Sequence, residues 1–282
     1  MSGRREPIES AEEAARTNRG SARSLLLSIL GEFVLPNGAS TWTATLISAL
    51  GLADVEERAA RQAIARSASS GWLVNEKVGR QARWHLSTQA THVLSEGTQR
   101  IYGFGRTETA WDQRWLLLFL TVPETRRELR YRLKVQLGWA GFATTGTGVW
   151  VSPWAIREAE ACRIIDQLGL GQNARTFVGP LGRLGEPRSL VSDTWDLATL
   201  SARYDEFVCR HRGPIPGTPA AAFAALTSLV HHWRRFPSLD PGLPQELLPD
   251  AWSGRAATAF FHQKHDELAP LALQWWQDQQ SR

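Results

Sequence analysis

The sequence predicts an α+β protein with several domains, because its hydrophobic pattern changes character twice along the chain. Near the N-terminus, residues first repeat at the steps of three and four that indicate helices and then alternate as in a half-buried strand. In the middle, short apolar runs alternate with helical segments, and the last third shows helical patterns alone. The length of 282 residues corresponds to two or three domains.

Two helices are predicted first. One begins at Ser21 or Arg23 in SLLLSILGEFV, has a broad apolar face and ends at Pro36-Asn37-Gly38. The other is opened and capped by one of the threonines in Thr41-Trp42-Thr43 and runs through Leu50. The apolar face of the first helix consists of Leu25, Leu26, Ile29, Leu30 and Phe33.

A third helix follows the tight connection Gly51-Leu52-Ala53, and its polar residues share one face. Asp54 is expected to be its N-cap, with Glu57 reaching back, and Gly71 fits the position just past its C-terminal end. The polar face is formed by Arg58, Arg61, Gln62, Ala65, Arg66 and Ser69. The packed face is formed by Ala60, Ala63, Ile64 and Ala68.

A hairpin is predicted next, because Gln81 to Leu86 alternates polar and apolar residues. Its partner strand is Trp72 to Lys77, and the turn is Val78-Gly79-Arg80. Lys77, Arg80 and Arg83 are expected at its tip. Helix, glycine-bearing turn, helix and basic hairpin form a winged helix-turn-helix, which places a helix in the major groove of duplex DNA.

The predicted contacts with DNA divide into two groups. Arg58, Arg61, Gln62 and Arg66 are the candidates for the groove, because arginine pairs with guanine and glutamine with adenine. Lys77, Arg80 and Arg83 are expected to touch phosphate or the minor groove. The alternative is a solvated helix with ordinary surface charge. This domain is assigned to 21–105, and a helix from Thr88 to Tyr102 would support the wing or join a dimer.

A ferredoxin-like α/β domain is predicted over 106–188 from a β-α-β-β-α-β alternation. The continuous apolar run Trp115 to Val122 predicts a strand covered on both faces. Gly179 to Ser192 is expected to be a linker. The other predicted strands are Val149 to Val151 and Ala174 to Val178, and the helices are Pro123 to Leu137 and Ala155 to Leu168.

A helical domain is predicted over 189–282. Its helices are Thr194 to Cys209, Thr218 to Arg235 with Thr218 as N-cap and Pro219 at N1, and a last helix that starts near Ser253. The four prolines of PSLDPGLPQELLPD are expected to forbid regular structure and to form a rigid connector.

Six stretches follow one another along the chain: ARSLLLSILGEF, EERAARQAIARSASSGWL, VGRQARWHLS, WDQRW, GWAGFATTGTGVWVSP and HHWRRFPSLDPGLPQELLPDAWSG. Together they resemble the PaaX family, the repressors of phenylacetic acid degradation operons. The resemblance implies a homodimeric repressor that binds a double-stranded DNA operator and is released by an aryl-coenzyme A thioester, typically phenylacetyl-CoA. It also implies that the middle domain is shaped like the small CRISPR-associated nucleases.

An effector pocket is predicted between the middle and last domains, where aromatic walls and cations would suit an aryl thioester. The basic run from Arg126 to Lys134 is either a solvated helix face, a contact for coenzyme A phosphates or an extension of the DNA footprint. The pocket candidates are Arg126, Arg130, Trp150, Trp195, Tyr204, Trp233, Arg234 and Arg235. The alternative for each aromatic residue is packing.

Catalysis, a cofactor and a metal are not expected. A nuclease needs carboxylates for a divalent cation, and the first strand of the middle domain ends without one at Leu120-Thr121-Val122-Pro123. His231-His232 and His262 with His265 lack a third ligand at a convincing spacing, so surface or hydrogen-bonded histidines are favoured. Cys162 and Cys209 are interpreted as packing residues.

The composition sets the broad class of protein. The net charge of +4 permits a polyanionic partner, and neither a membrane-spanning run nor a signal peptide is seen, so a cytoplasmic protein without membrane association is expected. Met1 to Gly20 is polar and is expected to be a mobile tail. Two alternative functions remain: a constitutive DNA-binding protein without an effector, and a metal-dependent nuclease that acts through the ferredoxin-like domain.

Overall fold

The computed structural model describes residues 21–106, 110–146 and 148–281, so the predicted tail, Met1 to Gly20, lies outside the described residues. The chain folds into two compact units. The described part of the first consists of 21–102, 211–234 and 260–281. The second consists of 103–210, without its undescribed residues, and 235–259.

The first unit begins with helix α1 (Ala22–Ile29), which continues as a single π-helical stretch, Leu30–Val34. The Ser21 hydroxyl accepts a hydrogen bond from the Ser24 amide at 3.2 Å and thus caps the helix. The apolar face is buried as predicted, with Leu26, Ile29 and Leu30 at 0% exposure.

Strand β1 (Ser40–Trp42) and helix α2 (Thr43–Gly51) follow, and the predicted threonine cap is wrong. Trp42 occupies the N-cap position and makes no side-chain capping bond. Thr41 is instead buried within β1, which pairs with the hairpin as a third strand. Thr41 therefore does not cap the helix, because it belongs to a strand that pairs with residues far away in the sequence.

Helix α3 (Glu57–Ser69) leads into the hairpin of β2 (Leu73–Val78) and β3 (Gln81–Leu86). The three strands form an antiparallel sheet in the order β1-β3-β2. Helix α4 (Thr88–Gly103) comes next. The predicted winged helix-turn-helix is confirmed, with β1 as the strand that sequence reasoning missed.

Two C-terminal segments complete the core of the first unit: helix α9 (Pro219–Trp233) and the part of helix α11 (Ser253–Gln280) from Phe260 onward. Thr218 is the N-cap of α9 and Pro219 its first residue, as predicted. Helix α9 packs against α1.

Aromatic rings join these helices. The Phe33 ring lies with its centroid 4.5 Å from that of Phe223 and 5.6 Å from that of Trp276. A second pair, Trp233 and Phe261, is stacked at 4.6 Å. All five side chains are at most 2% exposed, so one aromatic core holds the first helix and the C-terminal helices together.

The second unit contains a four-stranded antiparallel sheet in the order β5-β6-β4-β7. Its chain order and strand order are those of the predicted ferredoxin-like fold. Sequence reasoning missed β5, a short strand of small and polar residues. The four strands are β4 (Arg114–Leu120), β5 (Ala143–Gly146), β6 (Val149–Ser152) and β7 (Ala174–Pro180).

Two helices cover one face of this sheet: α5 (Arg127–Trp139) and α6 (Glu158–Gln167), the latter preceded by a 3₁₀ turn, Ala155–Arg157. Leu116, Leu118 and Leu120 of β4 point into this core. The opposite face is only partly covered, because Phe119 and Phe177 remain 41% and 60% exposed. The prediction that this strand is covered on both faces is therefore wrong at its C-terminal end.

Two segments predicted to lack regular structure are helical. The linker contains α7 (Pro187–Thr194), which begins with a proline and buries Val191 against Trp115 and Val151, and α8 (Leu197–His211) follows it. The proline-rich connector contains α10 (Phe236–Leu239) and a 3₁₀ turn, Gln245–Leu247. Both begin at or next to a proline, which fits the first turn of a helix.

Two further observations concern the whole described chain. Cys162 and Cys209 are exposed, so the prediction that they are packing residues is wrong. Among the described residues, no helix is long and apolar enough to cross a membrane.

Substitutions on the two sides of β4 test which side faces the core. We expect Leu118→Ala to lower the free energy of unfolding by roughly 2–5 kcal/mol, because Leu118 is 1% exposed between the sheet and its helices. Phe119→Ala, at the next position on the exposed face, should lower it much less. Chemical denaturation of both variants measures the difference, and equal losses would contradict this assignment of the two faces.

Candidate nucleic-acid interface

The N-terminus of α3 differs from the prediction. Glu56, and not Asp54, occupies the N-cap position, and it makes no side-chain capping bond. Asp54 lies in the connection to α2 with φ at 59°, a left-handed conformation that aspartate tolerates better than most residues. At the other end Gly71 follows the helix with φ at 75°, as predicted.

The predicted division of α3 into two faces is confirmed except at Ala68, which is only half-buried, while Ser67 is buried although it is not part of the predicted packed face. Ala60, Ala63 and Ile64 are at most 2% exposed, and the helix packs against α1 and α2. Small side chains on this face let the helix approach its neighbours closely. The six polar-face residues are all exposed: Arg58, Arg61, Gln62, Ala65, Arg66 and Ser69.

Arg61 differs from the other cations of α3, because it is paired within the helix. Its Nε and Nη2 atoms donate hydrogen bonds to Glu57 Oε1 at 2.8 and 2.7 Å. The two side chains are 59% and 63% exposed. Such an exposed pair one helical turn apart adds little stability, but it fixes the direction of the guanidinium group.

The wing turns through two residues, Gly79 and Arg80, because Val78 pairs with Gln81 in the register of the strands. Gly79 has φ at 61°, which tight hairpin turns require. Lys77 and Arg80 are exposed beside this turn. The structure thus places two of the three predicted wing cations at the tip.

Arg83 is not at the tip. It pairs across the sheet with Trp42 and Glu76, is only half-buried, and its Nη2 donates to Ser40 Oγ at 2.8 Å. Its guanidinium carbon lies 5.4 Å from the Trp42 ring centroid. Strand alternation predicts which side Arg83 faces but not that β1 lies there. Its contact with DNA stays a prediction.

A polar cluster links α11 to the helices of the winged domain. His265 Nε2 lies 2.9 Å from Glu32 Oε1, and the Tyr102 hydroxyl donates to the other oxygen of Glu32. The imidazole and carboxylate are 18% and 11% exposed. Sequence reasoning did not find this cluster, because its members are far apart in the chain.

Both titrating partners of Glu32 have shifted pKa values. Burial raises the pKa of Tyr102 far above its ordinary value, and the Glu32 carboxylate raises it further. Burial alone would lower the pKa of His265, but the hydrogen bond and charge of Glu32, with a contribution from Asp266, outweigh it and raise the pKa. The cluster therefore favours a neutral tyrosine and a charged histidine.

The predicted effector residues fall in both units. Trp233 and Arg234 belong to the first unit, where the Trp233 Nε1 donates to the Ile101 carbonyl at 3.2 Å and Arg234 Nη2 donates to the Ser24 carbonyl at 3.1 Å. Both residues thus have packing or bonding partners in the winged domain. The other six candidates belong to the second unit: Arg126, Arg130, Trp150, Trp195, Tyr204 and Arg235.

Within the second unit the aromatic candidates have packing partners. Trp150 lies in the core between sheet and helices, and Trp195 packs in the core on the opposite face. The Tyr204 hydroxyl donates to Asp240 Oδ2 at 2.6 Å, and the Gly242 amide donates to Oδ1 at 2.7 Å. Burial raises the pKa of Tyr204 and of Asp240.

The cationic candidates of the second unit are exposed. Arg126 and Arg130 stand at the start of α5, and Arg130 Nη1 lies 3.8 Å from Glu124 Oε1. An open depression of about 480 Å³ lies beside Arg126. Its lining combines cations with apolar floor residues: Thr125, Arg126, Arg127, Glu128, Leu129, Arg132 and Leu168.

The histidines make hydrogen bonds with the protein. His231 Nδ1 lies 3.2 Å from the Ser28 hydroxyl, and His232 Nδ1 lies 2.8 Å from the Ser228 carbonyl and 3.2 Å from His211 Nε2. In the part of the chain that the structure describes, no group of three or more histidine, cysteine, aspartate or glutamate residues is placed to hold a metal ion.

Comparison with known protein families accounts for this architecture. The family model described as PaaX-like protein matches residues 21–90, the PaaX protein central Cas2-like domain matches 108–191, and the PaaX-like protein C-terminal domain matches 195–278. The chain belongs to the PaaX family. The predicted family, and the three-part α+β architecture of a winged helix, a Cas2-like α/β domain and a helical region, are confirmed.

Two similar proteins match nearly the whole chain. The transcriptional repressor PaaX of Escherichia coli (strain K12) is 29% identical over 264 residues, which cover 90% of this chain and 82% of that protein. The solved structure of the uncharacterized protein Rv0674 from Mycobacterium tuberculosis covers 91% of this chain and 99% of its own, with a TM-score of 0.63 at 21% identity. The second likeness supports the PaaX fold alone.

The Glu32 cluster predicts a pH dependence of stability. Because the pKa of His265 is higher in the folded chain, the stabilisation is complete below about pH 6.5 and is lost as the pH rises through the raised pKa. The unaltered protein should lose stability between pH 6 and pH 9 as His265 loses its proton. We expect His265→Gln to lack this part of the loss, so its stability should fall less over the same range. Denaturation across this range measures it.

His92 provides the control, since its imidazole is 74% exposed and pairs with Glu96 at 3.4 Å on the surface. His92→Gln should leave the pH profile close to that of the unaltered protein. A His265→Gln profile that parallels the unaltered one would contradict the assignment.

Proposed function

We propose that this protein is a transcriptional repressor that binds a double-stranded DNA operator through α3 and the β2–β3 wing. The observation that carries the proposal is the form of α3. One face is packed against α1 and α2, while the other presents arginine and glutamine to solvent beside a basic hairpin. A helix of this kind enters a major groove, and the wing follows the backbone. The likeness to the E. coli repressor supports the same function.

The exposed residues have different proposed roles. Arg58, Arg61, Gln62 and Arg66 are proposed to face the groove, where arginine and glutamine can each make paired hydrogen bonds to a base edge. Lys77 and Arg80 are proposed to touch phosphates from the wing tip, which adds affinity and salt dependence. Arg83 is proposed to contact phosphate from the middle of β3, where its Nη2 also donates to Ser40 Oγ.

The proposed repressor acts as a homodimer, because two recognition helices read two half-sites about one DNA turn apart. An aryl-CoA thioester, such as phenylacetyl-CoA, is the proposed effector that releases it from the operator of an aromatic catabolic operon. Release requires that the effector bind more tightly to an arrangement of the dimer that no longer matches the half-sites.

The start of α5 is the proposed contact for the coenzyme A phosphates. Arg126 lines the depression there together with Arg127 and Arg132, and the apolar members of its lining are Leu129 and Leu168. Exposed arginines suit phosphate groups because their planar donors form paired hydrogen bonds. For the aryl end of the effector, the proposed candidates are Trp195, Tyr204 and Arg235, which all belong to the second unit. Trp150, Trp233 and Arg234 have the packing and hydrogen-bond partners described above.

The groove assignment predicts a loss of affinity on truncation. Arg61→Ala and Arg66→Ala should each weaken operator binding by roughly 1–3 kcal/mol if the arginine pairs with guanine, with folding intact because both side chains are exposed. Fluorescence anisotropy with labelled operator measures binding, and circular dichroism checks the fold. Arg203→Ala, an exposed arginine on α8, is the control. Unchanged operator affinity in both α3 variants would overturn the assignment.

The effector assignment predicts that aryl-CoA thioesters bind to the protein in the absence of DNA. Titration calorimetry with a panel of aryl-CoA thioesters should show binding to the unaltered protein, and the double variant Arg126→Ala/Arg130→Ala should weaken it about tenfold or more. Arg163→Ala on α6 is the control, since it removes an exposed cation of the same unit. If no thioester binds, the proposal of an aryl-CoA effector fails. If the complex with the operator is insensitive to all of them, the protein is a constitutive DNA-binding protein.

A further inference from the structure

Glu57 is the one acidic residue in the first turn of α3, and it lies at the edge of the exposed face. A carboxylate here is unexpected for phosphate binding, because a helix entering a groove passes between two rows of negative charge. Its favourable interaction with the helix N-terminus is modest at an exposed site. Helix stability alone therefore gives only a weak reason for its position.

The geometry of the pair with Arg61 gives a stronger reason. One carboxylate oxygen, Glu57 Oε1, accepts hydrogen bonds from both Nε and Nη2 of Arg61. This fixes the plane of the guanidinium group and leaves the donors of Nη1, and the second hydrogen on Nη2, directed away from the carboxylate. An arginine held in this way has fewer orientations in which it can follow a phosphate, whereas its remaining donors match the two acceptors of a guanine edge.

We infer that Glu57 is a specificity-determining residue, which positions Arg61 for one base pair and lowers the affinity of α3 for DNA of other sequence. The inference rests on the proposed DNA-binding function. Glu57 acts through Arg61, and its charge partly cancels that of the arginine where no matching base is present. The neighbouring cations Arg58 and Arg66 have no such carboxylate among the ion pairs of the described chain, so their charges are not offset in this way.

The test compares Glu57→Gln with a matched control on another helix. Glu206 pairs with Arg210 at 2.7 Å, also one helical turn apart, and is 64% exposed against 63% for Glu57. Glu206→Gln therefore makes the same change of charge in the same kind of pair, away from α3. Both variants are measured as the full chain, with the operator and with duplexes of unrelated sequence, over a range of salt concentrations.

Glu57→Gln should bind unrelated duplexes more tightly. If Arg61 then neutralises one more phosphate, the salt slope, which is the slope of log affinity against log salt concentration, steepens by about 0.9 for these duplexes. This corresponds to an additional change of roughly eightfold in affinity for each tenfold change in salt concentration. Operator binding should change less, so the ratio of specific to unrelated binding falls. Glu206→Gln should leave both slopes and the ratio unchanged.

A second variant separates positioning from charge. Arg61→Lys keeps the charge but lacks the planar fork, so it should weaken the preference at one base pair of the operator without lowering the salt slope. Selection from a randomised operator library should show Glu57→Gln losing preference at that same base pair.

Three results decide the matter. If the unaltered protein binds no DNA specifically, the proposed function itself fails. If it binds the operator but Glu57→Gln behaves like Glu206→Gln, the inference fails and the proposed function stands. If Glu57→Gln changes the preference at a base pair other than that of Arg61, Glu57 reads a base directly and the positioning role is wrong.

Discussion

The packing of Phe33 against Phe223 and Trp276 is the contact on which the first unit depends. These rings come from the first helix and from two helices near the C-terminus, and none is more than 2% exposed. Large aromatic side chains dominate the energetics of a small core. The winged helix-turn-helix therefore does not complete its own core, because residues from the far end of the chain fill it.

This shared core also determines how α3 is presented. Helix α1 contacts α3 on one side and α9 on another, so the backbone of α3 is held by packing at its alanine face. The exposed side chains then add charge and hydrogen-bond donors to a backbone that is already fixed. For the proposed contact with DNA, packing would thus supply the geometry of the helix and the arginines the charge that phosphates attract.

The sequence predicts what depends on near neighbours and misses what depends on distant ones. The two faces of α3 and the glycine after it follow from a period of three to four residues, and the structure confirms them. The N-cap at Asp54 fails because the turn from α2 requires a left-handed residue there. Arg83 is not at the tip because the register of the hairpin sets it opposite Glu76, in the third pair from the turn, and β1 then pairs beside it. No local pattern shows which surface α9 and α11 cover.

A shared core limits how an effector could act on the proposed repressor. A ligand shifts α3 only if it binds two arrangements of the molecule with different affinity, and a shift from 1:99 to 99:1 requires a difference of about 10⁴-fold. Aromatic packing offers few alternative arrangements, since tightly packed rings do not deform continuously. The polar links between α11 and the winged domain, such as His265 with Glu32, are easier to exchange, because water can replace their hydrogen bonds. Regulation through the C-terminal helices would therefore begin at these links and not at the rings.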